Sequence, residues 1–205
     1  MLTFLANKNF FEQQPHVKYR MKHGLTFLLL IACLNCASAQ NKSECSSGPR
    51  GFKSACLRLH QIWNEGKNEL YLPAYAWHNR YTYDAYKIPH YNENPLGGGL
   101  GKSFYDEDGD WHGLYAFAFL DSHKHVEPVV GYAFLKVLHI NENTRAGAGF
   151  GILMTARPEI MHNIPFPGAL PWVSFNYRKV SLSATYVPGS KSVGNVLFLI
   201  VKYVL

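Results

Sequence analysis

Charge is scarce in this chain: Asp, Glu, Lys and Arg make up 17% of its 205 residues, against 47% hydrophobic and 15% aromatic. That balance excludes a disordered polyelectrolyte, and the residues of a heptad coiled coil are missing too. Beyond residue 40 no apolar run approaches the roughly eighteen residues of a membrane helix. Lys and Arg are scattered, with no basic stripe, so nucleic acid is not an expected partner. Cysteine is rare: of four, Cys33 and Cys36 fall in an N-terminal leader, and only Cys45 and Cys56 remain. In an exported chain that pair reads either as one disulfide or as two unpaired thiols.

The leader is read from Met21 onward: Lys22, an apolar stretch from Leu25 to Leu34, then Ala37-Ser38-Ala39. This is the pattern of a secretory signal peptide cut before Gln40, with Met21 as the expected start and residues 1–20 an upstream over-read. Leu30-Ile31-Ala32-Cys33 also admits a lipobox, at the expense of a very short leader. Without residues 1–39 the chain keeps 166 residues, sixteen basic and thirteen acidic, so the formal charge falls from +6 to +3.

What is present instead is strand. Eight segments recur between turn signals, at 68–80, 97–105, 111–121, 127–138, 145–156, 169–177, 179–188 and 194–205. Separators include Asp106-Glu107-Asp108-Gly109 and Pro188-Gly189-Ser190. From Val180 to Val187 apolar and polar residues alternate, whereas Gly113–Leu120, Val129–Leu135 and Val196–Val201 are apolar on both faces. Eight antiparallel strands after a signal peptide predict a small closed all-β barrel, and two apolar faces favour a transmembrane barrel with a partly apolar interior over a soluble one. Gly97, Gly99 and Gly101 share one face, as do Gly147, Gly149 and Gly151, which predicts free room inside. Cys56–Glu65 has near-helical apolar spacing before Gly66: a short amphipathic helix, either at a membrane interface with Trp63 as anchor or packed on or into the barrel. The expected layout is therefore 1–39 leader, 40–67 N-terminal segment with the helix, and 68–205 barrel.

Particular motifs go further. The stretch from Glu69 through Trp77-His78-Asn79-Arg80 is followed by Tyr91-Asn92-Glu93-Asn94-Pro95, then Asp110-Trp111-His112-Gly113-Leu114-Tyr115-Ala116 through Asp121-Ser122, and Glu127-Pro128-Val129-Val130-Gly131-Tyr132. In order and spacing these resemble the PagP family of outer-membrane lipid A palmitoyltransferases, from about residue 55 to the C-terminus. The resemblance implies an eight-stranded outer-membrane barrel, a monomer, that moves an acyl chain from a phospholipid donor to lipid A and so promotes resistance to cationic antimicrobial peptides. It implies His78, Asp121 and Ser122 as catalytic residues and no metal or soluble cofactor. His78 would be the general base and Asp121 its orienting partner; Ser122 would be a hydrogen-bond donor to the ester or, alternatively, the nucleophile. Pro73, Pro95 and Pro188 match prolines that interrupt strand pairing and admit lipid sideways, since proline has no N–H for a ladder bond. Gly131 and Ala133 fall in the acyl well. Ala133 stands where the best-known member has glycine, so a somewhat shorter chain is expected. The loop Ser122-His123-Lys124-His125 has histidines where the family tends to have aromatics, a pair that could hold a metal. Competing functions for the same residues are an outer-membrane phospholipase and a non-catalytic barrel such as an adhesin.

Overall fold

The computed structural model describes Cys45 and residues 49–205 except 192 and 193; the expected leader and its cleavage site lie outside the described residues. One helix, α1 (Arg50–Glu65), precedes strands β1 (Lys67–His78), β2 (Gly97–Tyr105), β3 (Trp111–Leu120), β4 (Val126–Asn141), β5 (Thr144–Thr155), β6 (Phe166–Tyr177), β7 (Val180–Val187) and β8 (Val196–Val204). Each strand pairs antiparallel with the next, and β8 closes on β1, giving the expected eight-stranded barrel. No described helix is long and apolar enough to cross a membrane, which leaves open what the strands do.

Period-two alternation decides what faces in. Along β4, Val129, Ala133 and Leu135 are buried while Val130 and Leu138 are exposed. The exposed set, with Phe150, Ile152, Val173, Phe175 and Leu182, wraps the outside in an apolar surface. β4 runs past the expected end at 138 because Leu138, His139 and Asn141 keep pairing with Ala146, Arg145 and Thr144 across a tight turn.

Inside, aromatic rings form a connected column: Tyr71 to Phe117 at 6.0 Å, Phe117 to Phe119 at 6.0 Å, and Phe119 to Phe198 at 4.7 Å between centroids. The inward glycines are what seat these rings. A Cβ on Gly101 would stand 2.6 Å from Tyr71, one on Gly131 2.6 Å from the Tyr115 hydroxyl, and one on Gly151 3.0 Å from Trp172. The reading of the glycines as free room is thus corrected: rings fill the space at Gly101 and Gly151, while a Cβ on Gly97, Gly99 or Gly149 would meet the neighbouring strand's backbone and one on Gly147 the Leu135 and Ser174 side chains. Below the rings the lining turns ionic. Glu69, 2% exposed, accepts from Ser103 and Tyr71 and faces Lys202, whose Nζ lies 3.6 Å from its carboxylate and 3.8 Å above the Trp111 ring.

The helix packs outside the barrel, on the β2–β3 hairpin, so it is no plug. Only Ile62 of its apolar residues is fully buried, whereas Phe52, Leu59 and Trp63 are exposed. Arg58 reaches Asp106 at 3.4 Å and Glu107 at 3.5 Å, and Lys102 donates to the Trp63 carbonyl. Asp106 makes the hairpin itself, accepting from the N–H groups of Asp108 and Asp110, while Gly109 takes the positive φ of 80° that the turn needs. Cys45 and Cys56 are joined by a disulfide.

Candidate active site

β1 ends on His78, and β3 runs out one residue before Asp121-Ser122, so antiparallel topology carries both motifs to the same end of the barrel. There His78 Nε2 lies 2.8 Å from Ser122 Oγ. The ring is fixed on every side: 1% exposed, it stacks on Tyr91 at 4.9 Å and meets Tyr83 edge-on at 5.1 Å.

The partner of Nδ1 is Glu93, at 3.2 Å, and the same carboxylate oxygen accepts the His78 backbone N–H at 3.1 Å. A carboxylate facing Nδ1 puts the ring proton there and leaves Nε2 as an acceptor for the Ser122 hydroxyl. Glu93 also accepts from Tyr75 and from both terminal nitrogens of Arg80. The Arg80 guanidinium, aided by the other donors and opposed by partial burial, lowers its carboxyl from an ordinary value near 4.5 to about 2.

Asp121 does not occupy that position, and the expected His78–Asp121 pairing is corrected. One Asp121 oxygen accepts from the N–H groups of His123 and His125, both at 2.8 Å, and the other faces Arg157 at 3.4 Å. Asp121 therefore shapes the loop that bears Ser122. A second strap comes from Asn92, whose N–H donates to the Ser122 carbonyl at 2.8 Å and whose side chain donates to the carbonyls of Leu120 and Asp121. Glu93 and Asn92 were the residues that sequence reasoning left without a role, although they lie in the Tyr91-Asn92-Glu93-Asn94-Pro95 stretch it had singled out. Their placement depends on an eighteen-residue connection folding back over the rim, which no local period encodes.

Two seams of the barrel are interrupted beside this end. β1 and β2 pair only from Lys67↔Ser103 to Tyr71↔Gly99; contact resumes where Ala76 N–H donates to the Glu93 carbonyl. Pro73, at a shift in the β1–β8 register, and buried Pro95 border that interval. β6 and β7 pair only from Trp172↔Thr185 to Tyr177↔Val180. Pro171 flanks this break, and Thr185 donates to its carbonyl. Pro188 sits exposed just past β7, at the rim end of the seam. Gly131 and Ala133 both face the interior on β4, Ala133 fully buried and paired across the ladders with Gly113 and Gly151.

A closed β-barrel with an apolar exterior, an aromatic interior and a histidine–serine pair at its rim defines a barrel enzyme of the hydroxyl-activating kind. The chain belongs to the family described as antimicrobial peptide resistance and lipid A acylation protein PagP, whose model matches residues 58–202. It is 59% identical over 154 residues to the lipid A acyltransferase PagP of Legionella longbeachae serogroup 1, covering 74% of this chain and 67% of that protein. Over 184 residues it is 50% identical to the Legionella pneumophila protein of the same name, covering 89% and 98% of the two chains. A Bordetella parapertussis lipid A acyltransferase PagP is 53% identical over 173 residues, covering 84% and 91%.

Proposed function

We propose that this protein is an outer-membrane acyltransferase that moves an acyl chain from a phospholipid to a hydroxyl of lipid A, working as a monomer. The observation that carries the reading is the 2.8 Å contact of His78 Nε2 with Ser122 Oγ above an apolar interior. Long connections at this end, against short turns at the other, favour an outward-facing site in the usual outer-membrane orientation. The two interrupted seams give lipid a sideways route to it.

In the first step Ser122 Oγ attacks the ester carbonyl as His78 Nε2 takes the hydroxyl proton; the lysophospholipid alkoxide then leaves with that proton. A lipid A hydroxyl repeats the sequence on the seryl ester, giving up its proton to His78, which returns it to Ser122 as the new ester forms. Glu93 holds the imidazole in the working tautomer and balances its transient charge, while Asp121 and Asn92 hold the Ser122 loop. The acyl chain lies along the column of Phe119, Phe117 and Tyr115, toward Ala133.

The test uses refolded protein in detergent with labelled phospholipid, with and without lipid A, beside His78→Ala and Ser122→Ala. Labelled, acylated lipid A that falls by roughly 10³-fold or more in both variants is expected. Free fatty acid alone would make the protein a phospholipase, and no turnover would leave a passive barrel. Labelled enzyme in the absence of lipid A, lost in Ser122→Ala, identifies the seryl ester.

A further inference from the structure

We infer that the rim beside Ser122 holds a zinc(II) site built from Asp121, His125 and Glu159, with His123 as the fourth ligand. Asp121 Oδ2, His125 Nδ1 and Glu159 Oε1 all lie within 4.8 Å of one another. The individual separations are 2.7 Å from His125 Nδ1 to Glu159 Oε1 and 3.9 Å from His125 Nδ1 to Asp121 Oδ2. Ligand atoms about 2.0–2.1 Å from a tetrahedral zinc stand about 3.4 Å apart, a spacing that these two separations bracket, and the ion would replace the His125–Glu159 hydrogen bond. His123 Nδ1 is already 3.6 Å from the same Glu159 oxygen.

Asp121 is preset as a ligand. Its Oδ1 is committed to the N–H groups of His123 and His125, which turns Oδ2, in a side chain only 1% exposed, toward the cluster. Such outer contacts orient metal ligands in general.

Charge supplies an independent reason. Three carboxylates, Asp121, Glu127 and Glu159, share one cation, Arg157. The guanidinium reaches them at only 3.4, 3.4 and 3.8 Å, and its buried Nε has no aligned acceptor. With neutral imidazoles and Asp121 and Glu159 ionised, the single guanidinium leaves negative charge uncompensated, the deficit a divalent ion removes. Two imidazoles with two carboxylates suit zinc rather than magnesium or calcium, which prefer all-oxygen shells. The ion would tie the 121–125 connection to the 156–165 connection next to Ser122. None of this depends on which reaction Ser122 serves, so the site stands or falls separately from acyl transfer.

The test is isothermal titration of EDTA-stripped full-length protein in detergent with Zn²⁺, and separately with Mg²⁺ and Ca²⁺. One Zn²⁺ per chain is expected, weakened by more than about tenfold in both His125→Ala and Glu159→Gln and unchanged in His60→Ala. The thermal midpoint of the unmodified protein should rise with Zn²⁺, and that of the two variants should not; circular dichroism confirms that both keep the barrel. The inference is overturned by absence of saturable binding, by binding indifferent to both variants, by loss only in His60→Ala, or by equally tight Mg²⁺ or Ca²⁺.

Discussion

Glu93 keeps its charge because Arg80 and four further hydrogen-bond contacts from Tyr75, His78 and the second guanidinium nitrogen all favour the carboxylate. Its folded-state pKa, about 2, lies below the ordinary value near 4.5. A depressed acid contributes stability that is fully present above the ordinary value and is lost as pH falls through the folded one. Thermal unfolding followed by circular dichroism should therefore show Glu93→Gln flatter than the unmodified protein between about pH 4.5 and pH 2; parallel curves would contradict the assignment. At neutral pH the same variant keeps an acceptor for the Nδ1 proton but loses the charge that balances an imidazolium. Its kcat should drop by roughly 10²-fold with KM nearly unchanged. Asp121→Asn, by contrast, keeps an acceptor for the loop N–H groups but loses the ion pair with Arg157 and leaves the imidazole's partner in place, so its deficit should extend to KM.

At the scale of elements, α1 is held to the β2–β3 hairpin by few interactions, and Arg58 is central to them. Besides Asp106 and Glu107 it lies 5.8 Å from the Phe104 ring. Asp106 is bonded in turn to buried His112, which bonds to half-buried Tyr132, so a polar chain runs from helix to barrel wall. Burial alone would raise the Asp106 carboxyl, but His112 and the turn N–H groups outweigh it and lower it. Arg58→Ala should cost about 0.5–1 kcal/mol in urea unfolding of the barrel in detergent, from the two lost ion pairs and the lost cover over Phe104. No change in the transition midpoint would mean the helix is merely tethered. The elements themselves were legible because strand alternation and turn residues are local: β2 falls at 97–105 as read, and the His78 and Asp121-Ser122 motifs mark strand ends. The helix begins at Arg50, earlier than its apolar spacing suggests, since Gly51–Ala55 follow the helical backbone without supplying a buried face. The partner of His78 was not legible, since five carboxylates, Glu69, Glu93, Asp110, Asp121 and Glu127, stand in the quoted motifs and only the fold-back of residues 79–96 brings Glu93 to the imidazole. Likewise nothing local marks Pro171, which is distinguished only by the end of the β6–β7 ladder beside it.

For the molecule as a whole, the barrel is layered along its axis: a polar rim with His78 and Ser122, an aromatic middle, and an ionic floor of Glu69 and Lys202. Along β3 the middle extends from Gly113, level with Ala133, to Asp121. Eight residues at about 3.3 Å each and a tilt of about 40° give roughly 20 Å of depth. The end of an acyl chain cannot continue into the floor without breaking the solvation of a buried ion pair, so the limit on length is set where apolar lining stops. Ala133 lies in the lower part of this lining, fully buried between Gly113 and Gly151, with Leu135 and Trp111 one step deeper. On the acyl path proposed above, the Ala133 methyl group would take space that one methylene of the chain would fill, and a buried methylene is worth about 0.8 kcal/mol, close to fourfold in rate. Ala133→Gly should therefore move the optimum of a graded series of phospholipid donors toward chains longer by about one methylene, with a gain of about fourfold for the longer donor and little change for the shorter. The flanking glycines could instead let the Tyr115 and Trp172 rings close into the vacated space, since both already pack against Gly151. The donor profile separates these outcomes: a shifted optimum places the end of the chain at Ala133, and an unshifted profile places it higher in the ring column.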